Sequence, residues 1–132
     1  MKRDSLLFIL AFVTFLVSSC SSIPIIVLFN NSGKNFTIYA DDKVYYVKKE
    51  SVIEVEYPSS QTMKIEDEGD TWEYKFTYPP REYMPGRLLR MYEIHCQIEP
   101  DGSIYVLKPG VSMPVKGLPP QPDGFPLVPT QS

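Results

Sequence analysis

Residues 71–78 alternate between large aromatic and polar side chains. The aromatic positions are Trp72, Tyr74, Phe76 and Tyr78. Successive side chains of a β-strand point to opposite faces of the sheet, so this pattern places all four rings on one face. Because aromatic side chains bury large areas, the segment is predicted to be a core strand.

Seven other segments have the composition or the alternation of strands and are bounded by turn-forming residues. They are residues 23–29, 35–40, 43–48, 51–57, 62–67, 88–98 and 103–108. The first two are predicted to form a hairpin through the turn at residues 30–33, and residues 99–102 form the turn before the last strand. No segment beyond residue 20 has a helical period. The chain is therefore predicted to be all-β, an antiparallel β-sandwich or small barrel of seven to eight short strands.

The C-terminal segment differs from the strand-forming region in composition. Seven of the thirteen prolines fall in residues 109–132, which predicts an extended or partly disordered tail. Two interpretations stay open. The tail docks into an aromatic groove of a partner, or Phe125 and Leu127 fold back onto the domain and cover an open strand edge.

The N-terminus has the layout of a cleaved secretory signal. Lys2 and Arg3 precede an apolar run over residues 6–17, which is shorter than the roughly 20 residues that a membrane span needs. The sequence Val17-Ser18-Ser19-Cys20 resembles the lipobox of bacterial lipoprotein precursors. The resemblance implies cleavage before Cys20 and attachment of acyl chains such as palmitate to the new N-terminus. Two or more acyl chains anchor a protein stably to a bilayer.

The residue after the cysteine bears on the membrane that carries the anchor. In enteric-type bacteria an Asp at this position tends to keep lipoproteins at the inner membrane, and this chain has Ser21. The resemblance thus favours the outer membrane, with the domain in the periplasm. The alternative is an ordinary secreted protein, for which the sequons at Asn30 and Asn35 would suit glycosylation.

Length and charge set the domain organisation and exclude one class of partner. We divide the 132 residues into a signal peptide (1–19), an anchor and short linker (20–22), a β domain (23–108) and the tail (109–132). Loss of the leader takes the formal net charge from −3 to −4, because Lys2, Arg3 and Asp4 are removed. Nucleic-acid binding depends on clustered basic residues, so no nucleic-acid partner is expected.

The loop over residues 78–90 is the candidate partner-binding site. It brings together tyrosine, methionine and arginine, the residue types enriched at interface hot spots. The candidate residues are Arg81, Tyr83, Met84, Arg87 and Arg90. The alternative is a crossover loop packed over the edge of the sandwich.

Other reactive residues have simpler interpretations. His95 is the only histidine and is expected to be a solvated strand residue, while Cys96 is expected to be buried and to face away from it. The carboxylates Glu66, Asp67, Glu68 and Asp70 lack the spacing of an EF-hand and are expected to form a solvated turn. No catalytic residue, metal ligand or cofactor site is therefore predicted.

These observations favour a lipid-anchored cell-envelope protein with a binding or structural role, whose partner is another envelope protein. The alternatives are a periplasmic inhibitor or immunity-type lipoprotein and, less favoured, an envelope enzyme.

Replacement of Cys20 by alanine tests the anchor. We expect the wild-type protein to carry a lipid-sized mass increase at residue 20, and the Cys20→Ala protein to lose both this mass and its membrane association. Intact-mass spectrometry and cell fractionation measure the two properties. A mature chain that begins elsewhere with an unmodified thiol would contradict the lipoprotein interpretation.

Overall fold

The computed structural model describes residues 23–84 and 92–131. Its strands and single short helix follow one another closely along the chain. In order they are β1 (Ile25–Asn30), β2 (Phe36–Ala40), β3 (Lys43–Val47), β4 (Val52–Glu56), β5 (Thr62–Glu66), β6 (Thr71–Lys75), a 3₁₀ helix (Arg81–Tyr83), β7 (Glu93–Ile98), β8 (Ile104–Leu107) and β9 (Thr130–Gln131).

The strands form two sheets that pack face to face as a β-sandwich. Sheet A has the order β4-β1-β7-β8, and sheet B has the order β3-β2-β5-β6-β9. All paired strands run antiparallel except β1 and β7, which run parallel. The core between the sheets is formed mainly by the alternate inward residues of both, including Ile26, Leu28, Ile38, Met63, Ile65, Tyr74, Ile94, Cys96, Ile98, Ile104 and Val106. The prediction of an all-β sandwich is confirmed, and the small barrel is not observed.

The predicted hairpin between the first two strands is wrong. β1 lies in sheet A, where Ile26 is opposite Val55 of β4 and Ile94 of β7, whereas β2 lies in sheet B. The reason is that β1 is apolar on both faces and its last five residues are buried, which is typical of a central strand. Residues 31–35 therefore cross from one sheet to the other.

Asn30 holds this crossing in place. Its side chain is fully buried, and its amide Nδ2 donates to the carbonyl oxygens of Lys34, at 2.8 Å, and Lys48, at 3.2 Å. Its Oδ1 accepts hydrogen bonds from the backbone N–H and the hydroxyl of Ser32. The amide is thus used completely by the fold, which is incompatible with a glycan at this sequon in the folded protein.

The aromatic segment forms the predicted core strand over part of its length. Tyr74 and Phe76 are buried, and Trp72 is half-buried against the core. Tyr78 lies beyond the end of β6 and is half exposed, with its ring stacked on that of Tyr57 at 4.6 Å between centroids. Of the predicted strand at 88–98, the structure describes residues 92–98, and residues 88–91 lie outside the described part.

The predicted turn at residues 99–102 is present; it connects β7 to β8 within sheet A and contacts sheet B. The backbone N–H of Gly102 donates to the carbonyl of Glu99 at 2.9 Å, and Gly102 has a φ of +85°, which glycine adopts without strain. The buried hydroxyl of Tyr74 in sheet B donates to the carbonyl of Gly102 at 2.7 Å. A Cβ at Gly102 would lie 3.1 Å from the Pro129 ring and 3.2 Å from the Trp72 ring, so this position also has no room for a side chain.

Two glutamine side chains fix the tail to sheet A. Gln97 of β7 is fully buried, and its amide pairs with the backbone of Val115: the N–H of Val115 donates to Oε1 at 2.8 Å, and Nε2 donates to the carbonyl at 3.0 Å. Gln121 of the tail pairs in the same way with the backbone of Val106 in β8, at 2.8 and 3.0 Å. Each amide therefore satisfies one N–H and one C=O as a neighbouring strand would.

The end of the tail closes one side of the sandwich. The backbones of Leu127 and Ile104 exchange two hydrogen bonds, of 2.8 and 2.9 Å, along the edge of β8. Phe125 and Leu127 are buried, and β9 then pairs with β6 in sheet B. Of the two interpretations of the tail, the structure has the one in which it folds back over a strand edge.

Removal of residues 109–132 should strongly destabilise the mature domain. The truncation exposes the edge of β8 and removes the buried side chains of Phe125 and Leu127, each of which contributes about 1.5–3 kcal/mol by its burial. We expect the free energy of unfolding to fall by at least about 3 kcal/mol, measured by urea denaturation. The matched control is Val128→Ser, at an exposed position of the same tail, with an expected change within about 0.5 kcal/mol. An unchanged midpoint in the truncated chain would contradict the role given to the tail.

Candidate functional site

The candidate partner-binding loop contributes two of its residues to the core. Tyr83 lies in the 3₁₀ helix, is buried and packs in the core, with the Lys108 ammonium 5.8 Å from its ring centroid. Met84 is partly buried against the same core, and Arg81 is exposed. Arg87 and Arg90 lie outside the described residues, as does Cys20. The described part of the loop thus resembles a packed crossover more than an exposed cluster of aromatic and basic groups.

His95 is not the solvated residue that the alternation predicts. Its side chain is 24% exposed, and its Nε2 lies 3.0 Å from Oε2 of Glu93. The two residues are two positions apart on β7, so they share the outer face of sheet A. The expectation failed because this face is largely covered, as the fully buried Gln97 on it shows. A carboxylate beside an imidazole can orient the ring, which is one element of a general-base arrangement.

Cys96 gives this pair no nucleophile. The thiol belongs to the core between the sheets and is fully buried, so it points away from His95, as the alternation along β7 predicts. Burial raises the pKa of the Cys96 thiol to about 12. The thiol therefore stays protonated throughout the physiological range, and the reactive thiolate is not formed.

The acidic turn uses its central carboxylate on its own backbone. Oδ1 of Asp67 accepts hydrogen bonds from the N–H groups of Gly69, at 3.1 Å, and Asp70, at 3.0 Å. The Gly69 N–H, then the Asp70 N–H and the nearby Lys34 ammonium, hold the pKa of the Asp67 carboxyl below its usual range. Residues 23–84 and 92–131 contain no group of three or more histidine, cysteine or acidic side chains arranged to hold a metal ion.

Exposed apolar side chains occur at the opposite side of the sandwich from the tail. β3 is the outermost strand of sheet B, and on it Tyr46 is 81% exposed and Val44 is 46% exposed. Val52 of β4, the outermost strand of sheet A, is also exposed. We call the outward side of β3, with Val44 and Tyr46, the β3 edge.

Some of the other strand edges are covered. The tail covers β8, β9 extends sheet B beyond β6, and side chains of β3 cover the Glu56 end of β4. There the backbone N–H of Glu56 donates to the Tyr45 hydroxyl at 3.3 Å, and the Lys43 ammonium contacts the Glu56 carboxylate. Among the strands that the structure describes, the edges of β3 and of the Val52 end of β4 are thus the exposed ones, and the β3 edge has two exposed apolar side chains. Exposed edges are the sites where sheets take up an additional strand.

A short apolar run in the sequence indicates this surface, although the alternation used to predict the strands does not. Residues 44–47 are four apolar residues in succession, Val-Tyr-Tyr-Val, between lysines. A strand with one wet face alternates, so two of these four side chains must lie on the outer face unless another layer covers them. The run therefore indicates either a doubly covered strand or an exposed apolar surface, and burial decides between the two.

Comparison with family models, curated proteins and solved structures gives no match for this chain. None of the helical structure in residues 23–84 and 92–131 is long and apolar enough to cross a membrane.

Alkylation tests the burial of Cys96. In a Cys20→Ser chain, where Cys96 is the remaining cysteine, iodoacetamide should leave the folded protein unlabelled at pH 8 and label it fully in urea. The raised pKa keeps the thiol protonated at this pH, and burial prevents access as well. Mass spectrometry counts the label, and Val128→Cys in the same chain is the exposed control. Labelling of native Cys96 at the rate of the control would contradict the buried position.

Proposed function

We propose that the protein is a lipid-anchored cell-envelope protein that acts by binding another protein through the β3 edge. The observation that supports this function best is that the outermost strands differ in how far other parts of the chain cover them. The tail covers β8, β9 lies beyond β6 and side chains of β3 cover the Glu56 end of β4, whereas the β3 edge has the exposed side chains of Tyr46 and Val44. Sheet proteins generally protect their edges, so an exposed apolar edge is a candidate contact surface.

The anchor keeps this surface close to a membrane. The lipobox ends at Cys20, and β1 begins at Ile25. The four residues between them span at most about 14 Å, so the domain lies next to the bilayer and its partners are proteins of the same compartment. By the lipoprotein resemblance this compartment is the periplasm, with the outer membrane favoured by Ser21.

The surface around Ile23, just before β1, contains exposed apolar and aromatic side chains, which suit a position near a membrane. Ile23 is 52% exposed and lies at one shallow depression with Tyr78, which is 50% exposed and stacks on the buried ring of Tyr57. Tyrosine has an apolar ring and a polar hydroxyl, so it suits the boundary between lipid and water. The sheet A side near Ile23 is therefore where the short linker would bring the domain close to the bilayer.

A photo-crosslinking residue at position 46 tests the binding role. Benzoylphenylalanine replaces Tyr46 in the full chain, expressed in its host, and the matched control places the same residue at the exposed Val128. We expect position 46 to give discrete crosslinked proteins that position 128 does not give. The additional Cys20→Ala substitution should reduce their yield, because the domain would no longer be held at the membrane. Equal crosslinking at both positions would contradict a binding role for the β3 edge.

A further inference from the structure

We propose that the partner at the β3 edge is a second copy of this chain, which pairs with it as an antiparallel strand, with Val44 opposite Tyr46 of the second copy. This inference rests on the proposed function and names its partner. It would join two copies of sheet B into one continuous sheet across a twofold axis. Such an interface is isologous, since each copy contributes the same surface.

The backbone of β3 is arranged for this pairing. Only Asp41 and Asp42 separate the paired residues Ala40 and Lys43, so β2 and β3 form a two-residue hairpin. In such a hairpin the pair next to the turn exchanges hydrogen bonds, and the following pairs alternate. Lys43, Tyr45 and Val47 therefore direct their backbone groups toward β2, and Val44 and Tyr46 direct theirs outward. An antiparallel copy with Val44 opposite Tyr46 brings outward groups together at two positions.

The charges at the two ends of β3 favour an antiparallel copy. Asp41 and Asp42 precede the strand, and Lys48 and Lys49 follow it. When Val44 is opposite Tyr46 of the second copy, Asp42 is opposite Lys48 and Asp41 is opposite Lys49. Asp42 and Lys48 are exposed, whereas Asp41 is already held by the hydroxyl of Ser60, at 2.7 Å. The Asp42–Lys48 contact, made twice across the twofold axis, is thus the main charge pair.

The same charges select this register over its neighbours. Val44 opposite Val44 places Lys48 opposite Ala40 and Tyr46 opposite Asp42, which pairs no opposite charges. Tyr46 opposite Tyr46 places Lys43 opposite Lys49, which pairs like charges. The proposed register is the one that matches both carboxylates with lysines and sets a valine against a tyrosine on the outer face. Pairs of a β-branched and an aromatic residue, and pairs of opposite charge, both stabilise antiparallel strands.

The geometry of the pair is compatible with the two anchors. A twofold axis between two antiparallel edge strands is perpendicular to the sheet. Sheet A of each copy therefore lies on the same side of the joined sheet B. The Ile23 ends of the two copies point in opposite directions along the strands. Because β1 belongs to sheet A and follows the anchor closely, both lipids can enter one bilayer that lies along the sheet A side of the pair.

Cysteine pairs test the register directly. Two differently tagged full-length chains, Val44→Cys and Tyr46→Cys, are expressed together in the host and treated with a mild oxidant. In the proposed register these Cα atoms lie about 5.5 Å apart, within reach of a disulfide. Two copies of one variant place their cysteines diagonally, about 7–8 Å apart, which is too far. We expect a disulfide between the two tags and little from either variant alone, and the control pair of Val44→Cys with Val128→Cys should give none.

Charge reversal gives a second readout. Asp42→Lys or Lys48→Glu alone places like charges opposite each other twice, and each should lower the yield of the Val44–Tyr46 disulfide about fivefold. The combination Asp42→Lys with Lys48→Glu restores opposite charges and should restore the yield. Sedimentation velocity of the full-length wild-type protein should show a dimer that dissociates on dilution.

The outcomes separate this inference from the proposed function. A disulfide that forms between identical variants more readily than between the two different ones would overturn the register. A monomer whose position 46 crosslinks to a different protein would overturn the second copy as partner and leave the proposed function in place. A monomer whose position 46 crosslinks to nothing would overturn both.

Discussion

Unpaired backbone groups at the edges of the two sheets are the constraint on which the rest of this structure depends. An edge strand has a row of N–H and C=O groups that must be satisfied by water, by side chains or by another strand. On the β8 side, the tail satisfies them with the backbone of Leu127 and the amide of Gln121, while Gln97 holds Val115 over the face of the same sheet. The proline-rich composition suits this role, because an extended segment without internal hydrogen bonds has its backbone available to the domain. The tail is therefore part of the fold and not an appendage.

The segments that alternate were predictable as strands, because each needs only its own side chains to define two faces. Eight segments identified in this way correspond to β1 to β8, and the turn at Gly102 follows from local chemistry as well. The pairing of the strands was not predictable in the same way. Asn30 and Ser32 have the chemistry of a hairpin turn, but the Asn30 side chain bonds the 48–51 loop as well as its own, and β1 passes into the centre of sheet A.

The candidate site was less predictable than the fold. Tyr83 and Met84 belong to a loop whose residue types suggest an interface, but the loop crosses over the core and both side chains turn inward. Whether an apolar side chain in a loop faces the core or the solvent depends on packing between distant segments. Exposure of Tyr46 is equally a consequence of position, since β3 is the last strand of its sheet and nothing in residues 43–47 specifies this.

The proposed function combines a lipid anchor, a short linker and a sandwich whose β3 edge is exposed. The lysines that border this edge discourage pairing with basic or neutral strands, and the aspartates before it complement them in an antiparallel copy. In the proposed pair, a specific contact comes from the backbone of one strand and four charges. In the proposed function, a lipid anchor would add to this effect, because a membrane concentrates the anchored copies.

Residue-resolved amide hydrogen exchange tests the central claim, that the tail closes one side of the sandwich and leaves the β3 edge as the contact surface. We predict that the amides of Val106, Val115 and Leu127 exchange as slowly as those of the core strands at any protein concentration. The amides of Val44 and Tyr46 should exchange rapidly in dilute protein and slowly in concentrated protein. Rapid exchange in the tail, or exchange at Val44 and Tyr46 that is slow in dilute monomer, would contradict the account.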